Sequence, residues 1–171
     1  MLKMFCPDMY LDNIYDIDIE YIKKKNIKGL LIDLDNTLLP WNCCIIDQDL
    51  RDWVKKCKKY GLSLCIVSNN RARRINECAK ELQIPAVTRA IKPRKKAFLK
   101  GLSILGIEKN QVAVIGDQIF TDIFGAKRMG IFAILVKPVC NREFVWTRLM
   151  RKFEGIILKL MIRKGLISMI K

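Results

Sequence analysis

The chain has 171 residues, of which 51% are apolar and 29% are charged, a globular composition that predicts one domain and excludes disordered and fibrous proteins. It contains no histidine, which excludes Ser-His-Asp hydrolases, Cys-His proteases, His-ligated zinc enzymes and phosphatases that work through phosphohistidine. The formal charge of +15 is uneven, −4 over residues 1–22 and +19 over 23–171, which indicates either an anionic partner (a phosphorylated substrate, an acidic lipid surface or RNA) or a solvated Lys-rich surface.

Short apolar runs alternate with stretches of helical periodicity from residue 28 to 138, which predicts an α/β fold with a mainly parallel sheet flanked by helices. The runs, each bounded by Gly, Asn, Asp or Pro, are Gly29–Leu34, Leu62–Val67, a weak run at Ala86–Ala90, Val112–Ile115 and Phe132–Val136. Apolar stripes at helical spacing lie between them at 50–60, 75–82 and 97–105. The first stripe follows a possible Asp47 cap and precedes Gly61, where a helix is expected to end.

The cysteine pattern and the hydropathy of the chain indicate the cellular compartment. The seven cysteines are odd in number and contain no C-x-x-C pair, so we expect no disulfide framework or zinc cluster and predict a reducing cytoplasm. No uncharged stretch exceeds eleven residues, whereas a spanning helix needs roughly 18, so we expect no transmembrane helix. The first ten residues lack the apolar core of a cleaved secretory signal.

Polar side chains follow the predicted strands, at the edge where open parallel sheets bind ligands. Asp33 and Asp35 end the first run, and because positions i and i+2 of a strand face the same side, their carboxylates converge. Such a pair requires a metal or a shared proton. Ser68 and Asn69 follow the second run at the start of a helix, where a hydroxyl and free amides can hold phosphate oxygens.

The remaining runs are followed by a lysine and by further acids. Lys92 follows the weak third run, and Asp117 and Asp122 follow the fourth. Each motif alone is weak, since a turn or a cap explains it equally well. In this order, with each one at a strand end, acid, hydroxyl, lysine and acid make up the set of groups that phosphoryl transfer uses.

These motifs resemble those of the haloacid dehalogenase (HAD) superfamily of phosphatases with an aspartate nucleophile. Its four motifs are matched by Asp33, Asp35 and Thr37, by Ser68, by Lys92, and by Gly116-Asp117 with Asp122. More narrowly, the chain resembles the YqeG-like branch of subclass III, related to HAD-type phosphatidylglycerophosphate phosphatases. This resemblance covers residues 4–155 through the segments IYDIDIEYIKKKNIKGLLIDLDNTLLPW, IKPRKKAF, VIGDQIFTDIFGAKRMG and EFVWTRLMRKFE.

The resemblance implies a Rossmann-like HAD fold and a role for each matched residue. Asp33 would attack phosphorus, Asp35 would act as general acid and then base, and Lys92 would offset the developing charge. The phosphate would be bound by Thr37, Ser68 and the Asn69 amide. Mg²⁺ would lie between the Asp33 carboxylate, the Asp35 carbonyl and Asp117, with Asp122 as a neighbouring or water-mediated partner.

Most HAD enzymes carry a cap domain inserted between the first two motifs or between the second and third. Here 35 residues separate Asp33 from Ser68, and 24 separate Ser68 from Lys92, which only strand and helix connections can fill. We therefore expect a capless enzyme with an open site, suited to a phosphate on a large or surface-bound molecule or to closure by a partner.

Two cysteine features have competing interpretations. Cys65 and Arg71 fit the C-x5-R pattern of cysteine phosphatases, but Cys65 lies inside an apolar run and the loop has no glycine, which favours a core cysteine. The Cys43-Cys44 pair beside Trp41 is either redox-active or, as we favour, a matter of packing or chance.

The last thirty residues depart from the alternation and carry a net charge of +6. The pattern predicts a basic amphipathic helix. Its apolar face holds Trp146, Leu149, Met150, Phe153, Ile156, Ile157, Leu160 and Met161, and Arg148, Arg151, Lys152, Lys159 and Arg163 lie largely opposite. Such a helix lies on an anionic membrane or packs on its own sheet, and we expect packing up to Phe153 and lipid contact after Gly155. The predicted division is a phosphatase domain at 1–141, including the acidic segment 1–22, and a tail at 142–171.

The predicted function is a magnesium-dependent phosphomonoester hydrolase that works through an aspartyl-phosphate. A lipid-borne substrate such as phosphatidylglycerophosphate would place it in the cytoplasm, peripheral on the inner face of a membrane. One alternative is a soluble phosphatase for a sugar or nucleotide phosphate. Another, less favoured, is an RNA- or ribosome-associated binding module that kept the HAD fold. The sequence carries no signal of oligomeric state.

Overall fold

The architecture is a six-stranded parallel sheet between two layers of helices. The computed structural model describes residues 2–140 and 145–167. The strands are β1 (Met9–Leu11), β2 (Gly29–Ile32), β3 (Ser63–Val67), β4 (Ala86–Val87), β5 (Val112–Gly116) and β6 (Phe132–Val136). They lie in the order β1-β6-β5-β2-β3-β4, and all five pairings are parallel. The predicted α/β class is confirmed.

Alternation of strand side chains gives the sheet two cores. Leu30 and Ile32 point into one core, whereas Leu31 between them points into the other, because successive residues of a strand face opposite sides. The helices are α1 (Ile19–Lys24), α2 (Gln48–Lys59), α3 (Ala72–Leu82), α4 (Lys95–Leu105), α5 (Phe124–Lys127) and α6 (Val145–Arg163). The apolar faces of α1 to α3 fill the first core, and those of α4 to α6 fill the second.

The predicted helix signals are found in the structure. The Asp47 carboxylate accepts a hydrogen bond of 2.8 Å from the amide of Leu50 and so caps α2. Gly61 follows the end of that helix with a φ of 81°, a left-handed conformation that favours glycine. The other two stripes form α3 and α4.

β1 and β4 differ most from the sequence prediction, and β2 ends at Ile32, two residues short of the run Gly29–Leu34. β1 was not predicted, because three apolar residues in an acidic segment give too short a pattern, and it forms by pairing with β6 at the sheet edge. β4 is shorter than the weak run Ala86–Ala90, because Arg89 takes a φ of 48°, which is incompatible with a strand.

No cap domain is inserted among the motifs. Every residue from 33 to 92 is described, and this part of the chain holds only the loops, α2, β3, α3 and β4. The capless architecture is therefore confirmed. No cap domain in this part of the chain covers the carboxyl ends of the strands.

Helix α6 packs on the second core through one side only. Ile157, Leu158 and Met161 contact that core, whereas Phe153 and Ile156 are exposed. The single apolar face predicted for the tail is therefore divided between a packed side and an exposed side. The expectation of packing up to Phe153 and lipid contact after Gly155 is wrong for these residues, because Phe153 is exposed and the apolar residues that pack all follow Gly155. The predicted side chains of Trp146, Arg148 and Leu149, like residues 141–144 at the proposed domain boundary and 168–171, lie outside what the structure describes. No described helix is long and apolar enough to cross a bilayer.

Candidate active site

The predicted polar residues converge at the carboxyl edge of the sheet. Because β2, β3 and β5 run parallel in adjacent positions, the residues that follow them meet at one edge. A cavity of about 510 Å³ opens there. It is lined by Asp33, Asp35, Asn36, Trp41, Asn42, Ser68, Asn69, Asn70, Arg71, Lys92, Gln118 and Thr121. Five of the predicted site residues thus face one cavity.

A buried ion cluster forms the floor of the site. The Lys92 Nζ lies 2.6 Å from an oxygen of Asp33 and 2.6 Å from an oxygen of Asp122. Carboxylate oxygens of Asp33, Asp117 and Asp122 all lie within 4.8 Å of one another. All four side chains are buried. Acids that were predicted from separate motifs therefore share one small volume.

The loop after β5 brings Asp122 back to its own strand. One turn of π-helix, Ile119–Ile123, follows the strand, and the amide of Gln118 donates to Asp122 at 3.3 Å. The side chain of Asp122 packs so closely on Gly116 that a Cβ there would lie 2.3 Å from the Asp122 carboxyl carbon. Glycine at 116 is therefore required for this approach, since any side chain would displace the carboxylate.

Burial and like charge set the electrostatics of the cluster. Burial raises the pKa of Asp33 to about 8 and that of Asp117 to about 6, and neighbouring acids add to both shifts, while Lys92 and Arg151 respectively oppose them. Burial alone would lower the pKa of Lys92, but Asp122 and Asp33 outweigh it and raise that pKa above its ordinary value. Lys92 therefore remains an ammonium group.

Asp35 is held away from this cluster by a different cation. Arg74 pairs with its carboxylate and also donates to the Cys43 carbonyl at 2.7 Å. The side-chain amide of Asn70 donates to the second oxygen of Asp35 at 3.1 Å. The Asp35 side chain thus faces the cavity as a paired carboxylate, apart from the three clustered acids. The predicted convergence of the Asp33 and Asp35 carboxylates is wrong, because β2 ends at Ile32 and strand alternation does not extend to these residues.

The predicted phosphate ligands occupy different positions around the site. Ser68 lines the cavity, and its hydroxyl accepts a 3.3 Å hydrogen bond from the amide of Asn70. The Asn69 side chain bonds the main chain of Lys92 in both directions, at 2.6 and 3.3 Å, and so fixes the lysine loop. The Thr37 hydroxyl donates to Asp117 at 3.0 Å and does not line the cavity. For Thr37 and Asn69, direct contact with phosphate stays a prediction.

Helix α6 contributes two site residues that were not predicted from the sequence. Arg151, expected on a basic face opposite the apolar one, donates to the carboxylate and the main-chain carbonyl of Asp117. Glu154 is buried and accepts a 2.9 Å hydrogen bond from the amide of Phe120 in the π-turn. Burial raises the pKa of Glu154 to about 7. The sequence signal that could have identified them is their spacing, because positions 151 and 154 lie on the same helix face as the buried Met161.

The clustered carboxylates fit a divalent cation. Three carboxyl groups are buried within 4.8 Å of one another, and a bound cation would relieve the burial and mutual repulsion that raise the pKa values of Asp33 and Asp117. Carboxylate oxygens are the ligands that Mg²⁺ prefers. Asp33, Asp117 and Asp122 are therefore suited to hold such an ion.

Cys65 does not have the environment of a catalytic nucleophile. Cys65 is fully buried, and burial raises the pKa of its thiol to about 12, which agrees with a core cysteine and not with a nucleophilic thiolate. The thiol of Cys43 accepts a hydrogen bond from the amide of Ile45 at 3.4 Å, and Cys44 is exposed.

Sequence comparisons place the chain among phosphatases. The model of the mitochondrial PGP phosphatase family matches residues 2–140. The probable phosphatase YqeG of Bacillus subtilis is 39% identical over 163 residues, with 95% of each chain covered. Phosphatidylglycerophosphate phosphatase 1, chloroplastic/mitochondrial, of Arabidopsis thaliana is 29% identical over 94% of this chain, which spans 49% of the plant protein.

Solved structures share the fold at low sequence identity. The cobalt-bound deoxy-D-mannose-octulosonate 8-phosphate phosphatase of Haemophilus influenzae is 15% identical, with a TM-score of 0.51 over 80% of this chain and 90% of its own. A protein from Listeria monocytogenes serotype 4b is 20% identical, with a TM-score of 0.54 over 70% and 86%. The family match, the Bacillus relative and the shared fold agree with the acid and lysine motifs at the strand ends. The chain belongs to the mitochondrial PGP phosphatase family and is a phosphatase.

Proposed function

We propose that this phosphatase hydrolyses phosphate monoesters through an aspartyl-phosphate on Asp33, with magnesium as its divalent ion. The observation that carries the proposal is the position of Asp33: its carboxylate lies at the end of β2, faces the cavity and is bonded to Lys92 at 2.6 Å. Lys92 holds Oδ1, which leaves Oδ2 as the attacking atom. Nucleophilic catalysis by a carboxylate divides hydrolysis into two easier displacements.

In the first displacement, Asp33 forms a bond to phosphorus as the bond to the leaving oxygen breaks. Asp35 would supply the proton to that oxygen, which requires that substrate binding loosens its ion pair with Arg74 and that the carboxylate first takes up a proton from solvent. In the second displacement, Asp35 takes a proton from water as the water attacks phosphorus, which releases phosphate and restores Asp33. The ammonium of Lys92 offsets the negative charge that spreads over the phosphoryl oxygens.

The metal would be held by Asp33, Asp117 and Asp122, with the Asp35 carbonyl as a further predicted ligand. When bound, it supplies charge stabilisation to the phosphoryl oxygens. Thr37 and Arg151 both donate to Asp117 and so fix the orientation of that carboxylate. The Ser68 hydroxyl and the main-chain amide of Asn69 would donate hydrogen bonds to the phosphoryl oxygens.

For the substrate we propose a phospholipid phosphate, phosphatidylglycerophosphate. The family match and the plant relative that is named for this activity support the proposal. The open cavity supports it too, because no cap covers the strand ends between residues 33 and 92. A headgroup phosphate at a bilayer could therefore reach Asp33 without leaving the lipid. This substrate places the enzyme at the inner face of a membrane, bound peripherally.

Phosphate release decides between lipid and soluble substrates. The purified chain would be given phosphatidylglycerophosphate dispersed in detergent, glucose 6-phosphate or cytidine monophosphate, each with Mg²⁺ and each with the Asp33→Asn variant as a blank. We expect the lipid to be hydrolysed with a kcat/KM at least about 10²-fold above that of either soluble substrate. A preference for the sugar or the nucleotide phosphate would overturn the lipid assignment and leave the phosphatase chemistry in place.

A further inference from the structure

The rim of the active site carries exposed apolar side chains on three separate loops. The exposed fractions are 37% for Trp41 and 79% for Ile45 in the loop after β2, 56% for Ile91 in the loop after β4, and 50% for Val139 after β6. Isolated exposed apolar residues are ordinary, but a group around a functional opening indicates a contact surface. We call these four residues the apolar rim.

Hydrogen bonds tie the apolar rim to the cavity wall. The amide of Trp41 donates to Asn36 at 3.1 Å, and the amide of Val139 donates to the carbonyl of Asn36 at 2.9 Å. Ile91 directly precedes Lys92 in the cavity floor. Ile45 follows the loop that Arg74 binds through the Cys43 carbonyl. Trp41 thus lines the cavity, Ile91 adjoins Lys92 in its floor, and Val139 is bonded to Asn36 in its wall.

Basic residues accompany the apolar rim. Arg71 lines the cavity, and the segment from Thr88 to Lys100 holds six basic residues and no acid. Acids near the rim are engaged elsewhere in the structure: Asp47 caps α2, and Asp12 pairs with Lys137 at 2.5 Å. Lys92 is buried and paired, but Arg71, Arg89 and Arg94 are exposed, so the surface beside the opening combines apolar side chains with basic ones.

The exposed residue Ile91 has a strained backbone conformation. Its φ of 58° is rare for a β-branched residue, because the branched side chain crowds the backbone in the left-handed region. Strain of this kind persists where the surrounding structure fixes it, often at functional sites. Here it directs an isoleucine outward next to Lys92, between Arg89 and Arg94.

We propose that the apolar rim and its basic neighbours seat the active-site opening on an anionic phospholipid bilayer. The apolar side chains enter the boundary between headgroups and acyl chains, and the arginines contact lipid phosphates. This inference rests on the proposed lipid substrate and adds to it the face of the molecule that meets the membrane. The carboxyl edge, not the exposed side of α6, makes the first contact.

The test measures binding to vesicles of phosphatidylglycerol and phosphatidylcholine by co-sedimentation. The rim variant is Ile45→Ser with Val139→Ser, and a second variant is Ile91→Asn, since asparagine accepts a positive φ. The matched control is Leu99→Ser with Ile104→Ser on the outer surface of α4, where both side chains are exposed. A further comparison is Phe153→Ser with Ile156→Ser on the exposed side of α6.

We expect both rim variants to lose at least about tenfold in vesicle affinity while the α4 control binds normally. We also expect the Ile45/Val139 variant to hydrolyse p-nitrophenyl phosphate at the normal rate, which shows that it is folded. Loss of binding only in the α6 variant, or binding of RNA but not of vesicles, would overturn the proposal. Hydrolysis of detergent-dispersed phosphatidylglycerophosphate reports on the substrate separately, so that failure of the rim and failure of the proposed function are distinguishable.

Discussion

Arg151 of helix α6 donates to both the carboxylate and the main-chain carbonyl of Asp117 at the end of β5. A residue beyond the span that matches the family model therefore fixes an acid of the buried cluster. Its charge opposes the effect of burial on the pKa of Asp117 and so favours the ionised form that a metal ligand requires. Helix α6 is thus part of the active site and not an appendage of the domain.

Replacement of Arg151 should impair catalysis through the metal. We expect Arg151→Ala to lower metal affinity by about 10 to 100-fold, because the partners that orient a ligand matter nearly as much as the ligand itself. The concentration of Mg²⁺ that gives half-maximal activity measures this. Arg151→Lys should recover part of the loss, since it restores charge without the double hydrogen bond. Equal Mg²⁺ requirements in all three proteins would show that the contact has no role in metal binding.

Asp33→Asn should abolish turnover, by on the order of 10³-fold or more, because an amide cannot form the acyl-phosphate. Steady-state hydrolysis of p-nitrophenyl phosphate measures the loss. Cys65→Ser is the matched control, since that thiol is buried and its pKa is raised to about 12. An active Asp33 variant beside an inactive Cys65 variant would reverse the assignment of the nucleophile.

Removal of divalent ions should abolish activity, and Mg²⁺ should restore it. We expect Ca²⁺ to substitute poorly, because it prefers more ligands at longer distances than a compact cluster within 4.8 Å provides. Activity would be measured after chelation and again after each ion is returned. Full turnover after exhaustive chelation would contradict the metal role of the acids.

The site could be predicted from the sequence wherever chain order decides geometry. Asp33, Ser68 and Asp117 each end a strand, and parallel strands bring their carboxyl ends to one edge, so their convergence follows from the alternation of elements. The contact of Asp117 with Arg151 could not be predicted in this way. It depends on how α6 is docked, and nothing in a basic amphipathic pattern distinguishes a solvated arginine from a buried pair.

The finer local structure could not be predicted either, because it depends on a very short strand and on contacts between distant parts of the chain. β1 has three residues and gains its stability from pairing with β6, so its own segment carries little signal. The bond between the Asn69 side chain and the main chain of Lys92 joins residues 23 positions apart, so no local pattern predicts it. The predicted contact of the Asn69 main-chain amide with phosphate is unaffected by that bond and stays a prediction.

Glu154 should make stability depend on pH. Burial raises its pKa in the folded protein from 4.5 to about 7, so between these values the folded state binds more protons than the unfolded state. Stability due to this group is therefore fully present below pH 4.5 and is lost as the pH rises toward 7. The loss amounts to about 3 kcal/mol at most.

Glu154→Gln keeps an acceptor for the Phe120 amide and removes the titration. We expect the variant to show a smaller fall in melting temperature between pH 5 and pH 8 than the parent protein, both measured without metal. The variant also removes the electrostatic effect of Glu154 on Asp117, Asp122 and Arg151, so the difference reports the titration of Glu154 together with these contacts. An identical fall in the two proteins would show that Glu154 does not titrate in this range.

Truncation after Glu154 tests what the second half of α6 does. Ile157, Leu158 and Met161 pack on the core, and Met161 is fully buried, so removal of residues 155–171 should expose apolar surface and lower the melting temperature. Met161→Ala should destabilise the protein by about 2 to 5 kcal/mol in chemical denaturation, because it leaves a cavity in a packed core. Ile162→Ala is the control: it is adjacent on the helix but half exposed, and we expect its cost to stay below about 1 kcal/mol. If the truncated protein melts like the parent, the packing of α6 contributes nothing to the fold, and its apolar residues would then be free to meet lipid.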